Sequence, residues 1–463
     1  MSPADDTNKP MNRKVQPAKR PKRSFTAVST YVFERIMPDA FVLAIGLTIL
    51  VACAAAVFAP RGTLPVILTS WYGGLFGILG FAFQMILVLV TGHVLAHAPI
   101  VQRGLRAMVS LTRTPNQAVV MTFLVAACAS WLNWGFGLVI GAVLAREVAR
   151  QIRLDYAWLV AAAYSGWVIW GSGPSGSIPL SQASHGNALN IVEKVTGHVL
   201  PFSESIFTVL NLVPTLIIVA VMPFVFMAIR PREDEMQVFT PPTDEPVAAR
   251  VAWADLPFAR KLEQSPVGSL FLVAAGLGYL GLTWWNNALS LDINVVIFMF
   301  LIAGLLLHGS PVNYANAVKN AARQTGAMML QYPIYGGIMG IMTATGLAEQ
   351  MSRSIASVAT THTLPFLGYL ASLVITFVVP SGGGHWAVQG PFTIPAAVAL
   401  HASIPATTMG VAMGEEVANM MQPFWALPVV AIAGIGIQRV LGFTVVTFLV
   451  SATVYGAALL LLG

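Results

Sequence analysis

Four short stretches set helix-interrupting residues inside otherwise apolar sequence, three of them with glycine beside Ser, Asn or His and the fourth with Asn, Gln and Pro. They are Asn133-Trp134-Gly135-Phe136-Gly137, Gly171-Ser172-Gly173-Pro174-Ser175-Gly176, Ser381-Gly382-Gly383-Gly384-His385 and Asn419-Met420-Met421-Gln422-Pro423. Such residues interrupt helices. A helix that stops leaves free N–H groups at one broken end and free carbonyls at the other. The N–H ends hold anions, and the carbonyl ends suit Na⁺ or a proton-bearing group. Glycine lets a ligand approach the backbone, while Ser and Asn add side-chain partners. The four breaks together predict a seat for a small anion, most simply a carboxylate. Glycines can instead serve only to let helices pack closely, but packing seams are spaced by four, and Gly382–Gly384 are consecutive. Glu415 and Glu416 lie a few residues before Asn419. At least one should face the protein interior, where Glu415 could carry a coupled proton; the alternative places the pair at the aqueous end of its helix. His385 could hydrogen-bond a carboxylate or relay a proton.

Two other chemistries are compatible with single features. Gly173-Pro174-Ser175-Gly176 matches the GxSG pattern of intramembrane serine hydrolases, with His385 as its base. A passive channel would share the apolar composition. Neither has a need for four matched breaks. No GxxxxGK[ST] signature occurs, so an ATP-driven pump is not expected, and neither a cofactor nor a metal is implied.

The elements that position these breaks must sit in lipid. Of 463 residues, 56% are apolar and 10% charged, against roughly 25% charged in soluble domains. Mean hydropathy is +0.73. Cys53 and Cys128 provide no disulfide framework. The net charge of +6 does not indicate nucleic acid, because eight of the 25 Lys and Arg fall in residues 1–38. That basic tail reads as disordered, cytoplasmic and attracted to membrane lipid. Pro38 and Asp39 read as a helix start.

Apolar runs of about 20 residues, enough for a hydrocarbon core about 30 Å thick, lie near 40–59, 78–97, 156–180, 206–228, 268–284, 293–309, 325–346, 409–430 and 440–461. With the N-terminus in the cytoplasm, 22 of 25 Lys and Arg fall on the cytoplasmic side, leaving Arg61, Lys194 and Arg353 outside. This parity requires residues 115–149 to enter and leave on one side as a re-entrant hairpin, and 365–397 to do the same from the other. His93 and His308 are expected at interfaces, and Trp71, Trp284 and Trp285 in the aromatic belt. Trp131, Trp134, Trp386 and Trp425 flank the breaks, where they either wall an apolar pocket or pack the hairpins.

An offset of 247 carries Gln84 onto Gln331 and the 133–137 break onto 380–384. Each half then reads span, span, re-entrant hairpin, broken span, span, and the extra crossing at 268–284 inverts the second half. Matched discontinuities in an inverted repeat are the signature of a secondary transporter. The division expected is a tail over 1–38, a first repeat over 39–229, a loop and linking helix over 230–292, and a second repeat over 293–463.

The stretches WLNWGFGLVIGAVLAREVAR (131–150), VPSGGGHWAVQGPFTIPAA (379–397) and GEEVANMMQPFWALPVVAIAG (414–434) resemble the bacterial short-chain fatty acid transporter family. The likeness runs from about residue 30 to the C-terminus. It implies an all-α polytopic inner-membrane protein of the ion transporter superfamily, an inverted-repeat elevator carrier with two re-entrant hairpins and two broken helices. It also implies cation-coupled symport of acetoacetate, butyrate and related monocarboxylates, driven by H⁺ or Na⁺, with homodimers known among such carriers. Other small organic anions such as dicarboxylates are the alternative. By the resemblance, substrate contacts map to Asn133, Gly135, Gly137, Ser381, Gly382, Gly383, Gly384, His385, Asn419 and Gln422, less literally to Ser172 and Ser175, and ion coupling to Glu415. Glu416 departs from the neutral polar residue expected there.

Overall fold

The computed structural model describes residues 40–233, 236–238, 257–286 and 291–463. The basic tail, the Pro38–Asp39 helix start and residues 239–256 of the charged loop lie outside the described residues. Regular structure among the described residues is entirely helical. The first half holds α1 (Ala40–Phe58), α2 (Leu64–Gly77), α3 (Leu79–Ala96), α4 (Pro99–Ser110), α5 (Pro115–Leu132), α6 (Trp134–Gln151), α7 (Tyr156–Ser165, prolonged by a 3-10 turn over Gly166–Ile169), α8 (Ser177–Ala183), α9 (Ile191–Thr196) and α10 (Val209–Ala228). After α11 (Phe258–Gln264) and α12 (Val267–Asn286) come α13 (Ile293–His308), α14 (Pro311–Ala322), α15 (Gly326–Thr345) and α16 (Leu347–Val358). The chain ends with α17 (Leu364–Ile375), α18 (Gly382–Ala399), α19 (Ile404–Ala418, prolonged by a 3-10 turn over Asn419–Met421), α20 (Pro423–Ala433) and α21 (Ile437–Leu462).

Element starts recur at a nearly constant spacing: Leu64 with Pro311, Leu79 with Gly326, Pro99 with Leu347. The breaks recur with them, α5/α6 answering α17/α18 and α7/α8 answering α19/α20. Local sequence explains the starts. Thr114 caps α5 ahead of Pro115, its hydroxyl accepting from Gln117 N at 3.2 Å, and Asp292 caps α13 by accepting from Val295 N at 2.8 Å.

Six stretches among the described residues are long and apolar enough to cross a bilayer: Phe41–Phe58, Leu64–Ala96, Pro115–Leu132, Val209–Ala228, Phe258–Asn286 and Ile437–Leu462. Nine spans were expected from hydropathy. The difference has physical causes. The runs at 156–180 and 409–430 are each split by a break, α13 has 16 residues, and α15 carries Gln331, Tyr332, Tyr335 and four glycines. The span placed at 78–97 instead starts at Leu64. Residues 99–110, 311–322 and 347–358 form helices that bury only one edge, such as Leu105 and Val109 on α4, and the hydropathy reading passed over them.

The helices pack in two groups. One contains α1, α2, α3, α13, α14 and α15, with α12 against α13. At its centre α2 crosses α15 so closely that a Cβ on Gly74 would lie 2.3 Å from Gly336 O, and one on Gly340 2.3 Å from Ser70 O. Small residues spaced by four allow this approach without an apolar driving force from lipid. The other group contains α5, α6, α7, α10, α17, α19 and α21 and holds all four breaks; α3–α6, α15–α18 and α16–α18 contacts join the two. Asp155 adds a tie across the sequence halves, its Oδ2 accepting from Arg439 Nη2 at 2.6 Å while Oδ1 caps α7.

Trp284 and Trp285 are exposed, but Trp71 packs on Gly337. His93 and His308 are buried, and with His97, Asn313, Asn316 and Asn320 they line a cavity of about 350 Å³.

Candidate functional site

The two hairpin tips meet through tryptophans. Trp134 begins α6 and lies 5.4 Å from Trp425 and 6.2 Å from Trp170 between ring centroids. Trp167 stacks on Trp170 at 5.1 Å and donates its Nε1–H to Trp134 O at 2.9 Å. Trp425 donates to Pro380 O at 2.7 Å, directly before the second tip. The Trp170 ring lies against Gly382, where a Cβ would come within 2.6 Å of its Cη2. The breaks therefore share one buried centre.

At the first tip, polar groups satisfy one another. Asn133 Oδ1 accepts from Phe136 N at 2.9 Å, the N-cap arrangement, and its Nδ2 donates to Val88 O at 3.4 Å. Ser175 Oγ accepts from Trp134 N at 2.9 Å. Gly135 and Gly137 are packing glycines: a Cβ on Gly137 would sit 2.0 Å from Ser130 Oγ, and one on Gly135 2.9 Å from Leu89 Cα. In the first break, Ser172 N and Ser172 Oγ donate to Glu416 at 3.0 and 2.8 Å. The Tyr455 hydroxyl contacts Ser172 Oγ at 3.0 Å.

At the second tip the arrangement differs. The first intrahelical bond of α18 runs from His385 N to Ser381 O at 2.6 Å, so the amides of Gly382, Gly383 and Gly384 precede the ladder. Ser381 does not cap them. Phe81 and Tyr332 enclose Gly383, and Tyr335 encloses Gly384. Among the buried side-chain atoms without a hydrogen-bond partner are Trp134 Nε1, Trp170 Nε1 and Asn419 Oδ1. Two indole N–H donors and three glycine amides suit a carboxylate, and the aromatic rings suit a short acyl chain.

Glu415 sits beside this tip. It is buried, and its Oε1 accepts from Asn419 Nδ2 at 2.7 Å. Tyr164 donates to Asn419 O at 2.8 Å, and Gln422 Nε2 donates to Thr376 O at 2.7 Å, joining the second break to its hairpin. The alternative that the Glu415–Glu416 pair ends in water does not hold, since both are buried. His385 is turned into its own hairpin. Its Nε2 contacts Ser372 Oγ at 3.0 Å and Gln389 Oε1 at 2.5 Å, and its Nδ1 contacts Thr376 Oγ1 at 3.2 Å. These bonds hold α17 against α18. The Ser175 and His385 side chains thus have separate partners, and the hydrolase pairing does not form.

Sequence reasoning missed Trp170, Tyr332 and Tyr455. Tyr332 lies one residue past Gln331, which the repeat offset had already marked; Trp170 precedes a break directly; no sequence signal singled out Tyr455.

Fold and site define an all-helical, multi-span membrane transporter. In fold the chain is similar to the Alcanivorax borkumensis YdaH transporter, with TM-score 0.58 and 13% identity over 91% of this chain and 98% of that one. It is also similar to Neisseria gonorrhoeae MtrF, described as illuminating a class of antimetabolite efflux pumps, with TM-score 0.57 and 14% identity over 94% and 97% of the two chains. Residues 22–462 match the family model described as short chain fatty acid transporter. The chain is 38% identical to provisionally named short-chain fatty acid transporters of Escherichia coli, over 92% of this chain and 96% of the relative, and of Haemophilus influenzae, over 92% and 97%. The chain belongs to the short-chain fatty acid transporter family, and a transporter of this family is not an enzyme.

Proposed function

We propose that the protein is a secondary carrier that takes short-chain monocarboxylates such as butyrate and acetoacetate into the cytoplasm with a coupled cation. The observation that carries this reading is the charge balance of the buried centre. Glu415 and Glu416 are both buried there, while no Lys or Arg is buried among the described residues. A substrate carboxylate at the Gly382–Gly384 amides would be a third anion in a poorly solvated space. Its entry needs a cation, H⁺ or Na⁺, and Glu415 with Asn419 is the natural receiver.

In this reading residues 39–229 and 293–463 are inverted repeats joined through 230–292. The 115–149 and 365–397 hairpins are re-entrant, and the N-terminus is cytoplasmic in a bacterial inner membrane. Alternating access moves the hairpins and broken helices against the group around α2 and α15, and a homodimer would brace that group. Substrate and cation must favour the same state for coupling. The test is uptake of labelled butyrate and acetoacetate into proteoliposomes under imposed pH and Na⁺ gradients applied separately. Accumulation driven by one gradient is expected. Equilibration that neither saturates nor responds to either gradient would indicate a channel and sink the proposal.

A further inference from the structure

The buried centre has two places where backbone amides can receive a carboxylate. One is the start of α18, and the other is the first break at Gly171 and Ser172. The second is already filled by the chain itself. Glu416, from the opposite half of the chain, accepts from Ser172 N at 3.0 Å and from Ser172 Oγ at 2.8 Å. Both of these partners are donors, which suits a carboxylate acting only as acceptor. The Ser172 carbonyl is in turn held by Asn211 Nδ2 at 2.9 Å, so the break is fixed around the Glu416 head group. The two places adjoin: the Trp170 ring lies on Gly382, and the next residue, Gly171, would bring a Cβ within 2.9 Å of Glu416 Oε2.

From this we infer that Glu416 is a specificity-determining residue, a built-in carboxylate that fills the second anion seat and limits the carrier to substrates with one acid group. The inference rests on the monocarboxylate carrier reading above and deepens it. A dicarboxylate whose first acid group sits on the Gly382–Gly384 amides meets Glu416 where its second would bind. Like-charge juxtaposition at a desolvated site is strongly unfavourable and is a direct means of rejecting a competitor.

The test uses butyrate uptake into proteoliposomes, with unlabelled succinate or its monomethyl ester as competitor at a pH where succinate is a dianion. In the wild type the ester inhibits and succinate does not. In Glu416→Gln, succinate inhibition relative to the ester rises about tenfold or more, because the like charge is gone. Ser172→Ala, which removes one of the two donors that hold the Glu416 carboxylate in that seat, gives a smaller rise in the same direction because the carboxylate is held there less firmly. Equal inhibition of the wild type by succinate and ester overturns the inference while leaving the carrier reading intact. Absence of any saturable butyrate uptake by the wild type overturns the carrier reading itself. Unchanged exclusion of succinate in a transporting Glu416→Gln protein also overturns the inference. Should Glu416→Gln give no uptake, the Ser172→Ala ratio decides, and an unchanged ratio there counts against the inference.

Discussion

The two hairpin tips occupy corresponding positions in the two halves of the chain, where element starts recur at a nearly constant spacing, yet their polar groups are used in opposite ways. At the first tip Asn133 caps its own helix, Ser175 takes the Trp134 amide, and the glycines receive neighbouring backbone and side chains. At the second tip Ser381 leaves the Gly382–Gly384 amides uncapped beneath aromatic rings. The breaks divide likewise, Glu416 filling the first and Asn419 keeping an unpartnered oxygen at the second. Two similar frames thus use their polar groups differently: the first tip closes on itself, and the second leaves its amides uncapped.

The largest effect that would sharpen this contrast is at Gly384. A Cβ there would lie 2.3 Å from Tyr335 Cδ2, so Gly384→Ala displaces the seat. Initial butyrate uptake should fall about hundredfold, the cost of small misplacements at a preorganised site. Next, Glu415→Gln should abolish gradient-driven accumulation and leave acid exchange measurable in preloaded vesicles. Equal loss of both would assign Glu415 to substrate binding rather than coupling. Asn133→Ala removes the cap at the other tip and should lower stability by about 0.5–2 kcal/mol, seen as a lower melting temperature in detergent, with butyrate affinity retained. A loss of affinity as large as that of Gly384→Ala would erase the distinction between the tips. The smallest effect is expected for Ser381→Ala, which removes no helix cap and should lower the melting temperature in detergent less than Asn133→Ala does.

The four breaks were legible because Gly, Pro, Ser and Asn cannot hide within runs of Leu, Val and Ile. The offset between Asn133 and Pro380 was legible for the same reason. Which tip leaves its amides uncapped was not, because Asn133 and Ser381 are both ordinary capping residues and only geometry shows that one caps and the other does not. His385 illustrates a second limit. A histidine beside three glycines looks ligand-facing, but Ser372 and Thr376, one helix earlier, turn it inward. The pairing of Glu416 with Ser172 joins residues far apart in the chain, and spacing within one helix carries no trace of it.

The most direct measurement is the position of a bound acid. In crystals grown with 4-bromobutyrate, the anomalous signal locates the bromine and the electron density the carboxylate. The account predicts the carboxylate on the Gly382–Gly384 amides and bromine against the surrounding aromatic rings. A carboxylate bound instead at Asn133–Gly137, or away from both hairpin tips, would contradict it.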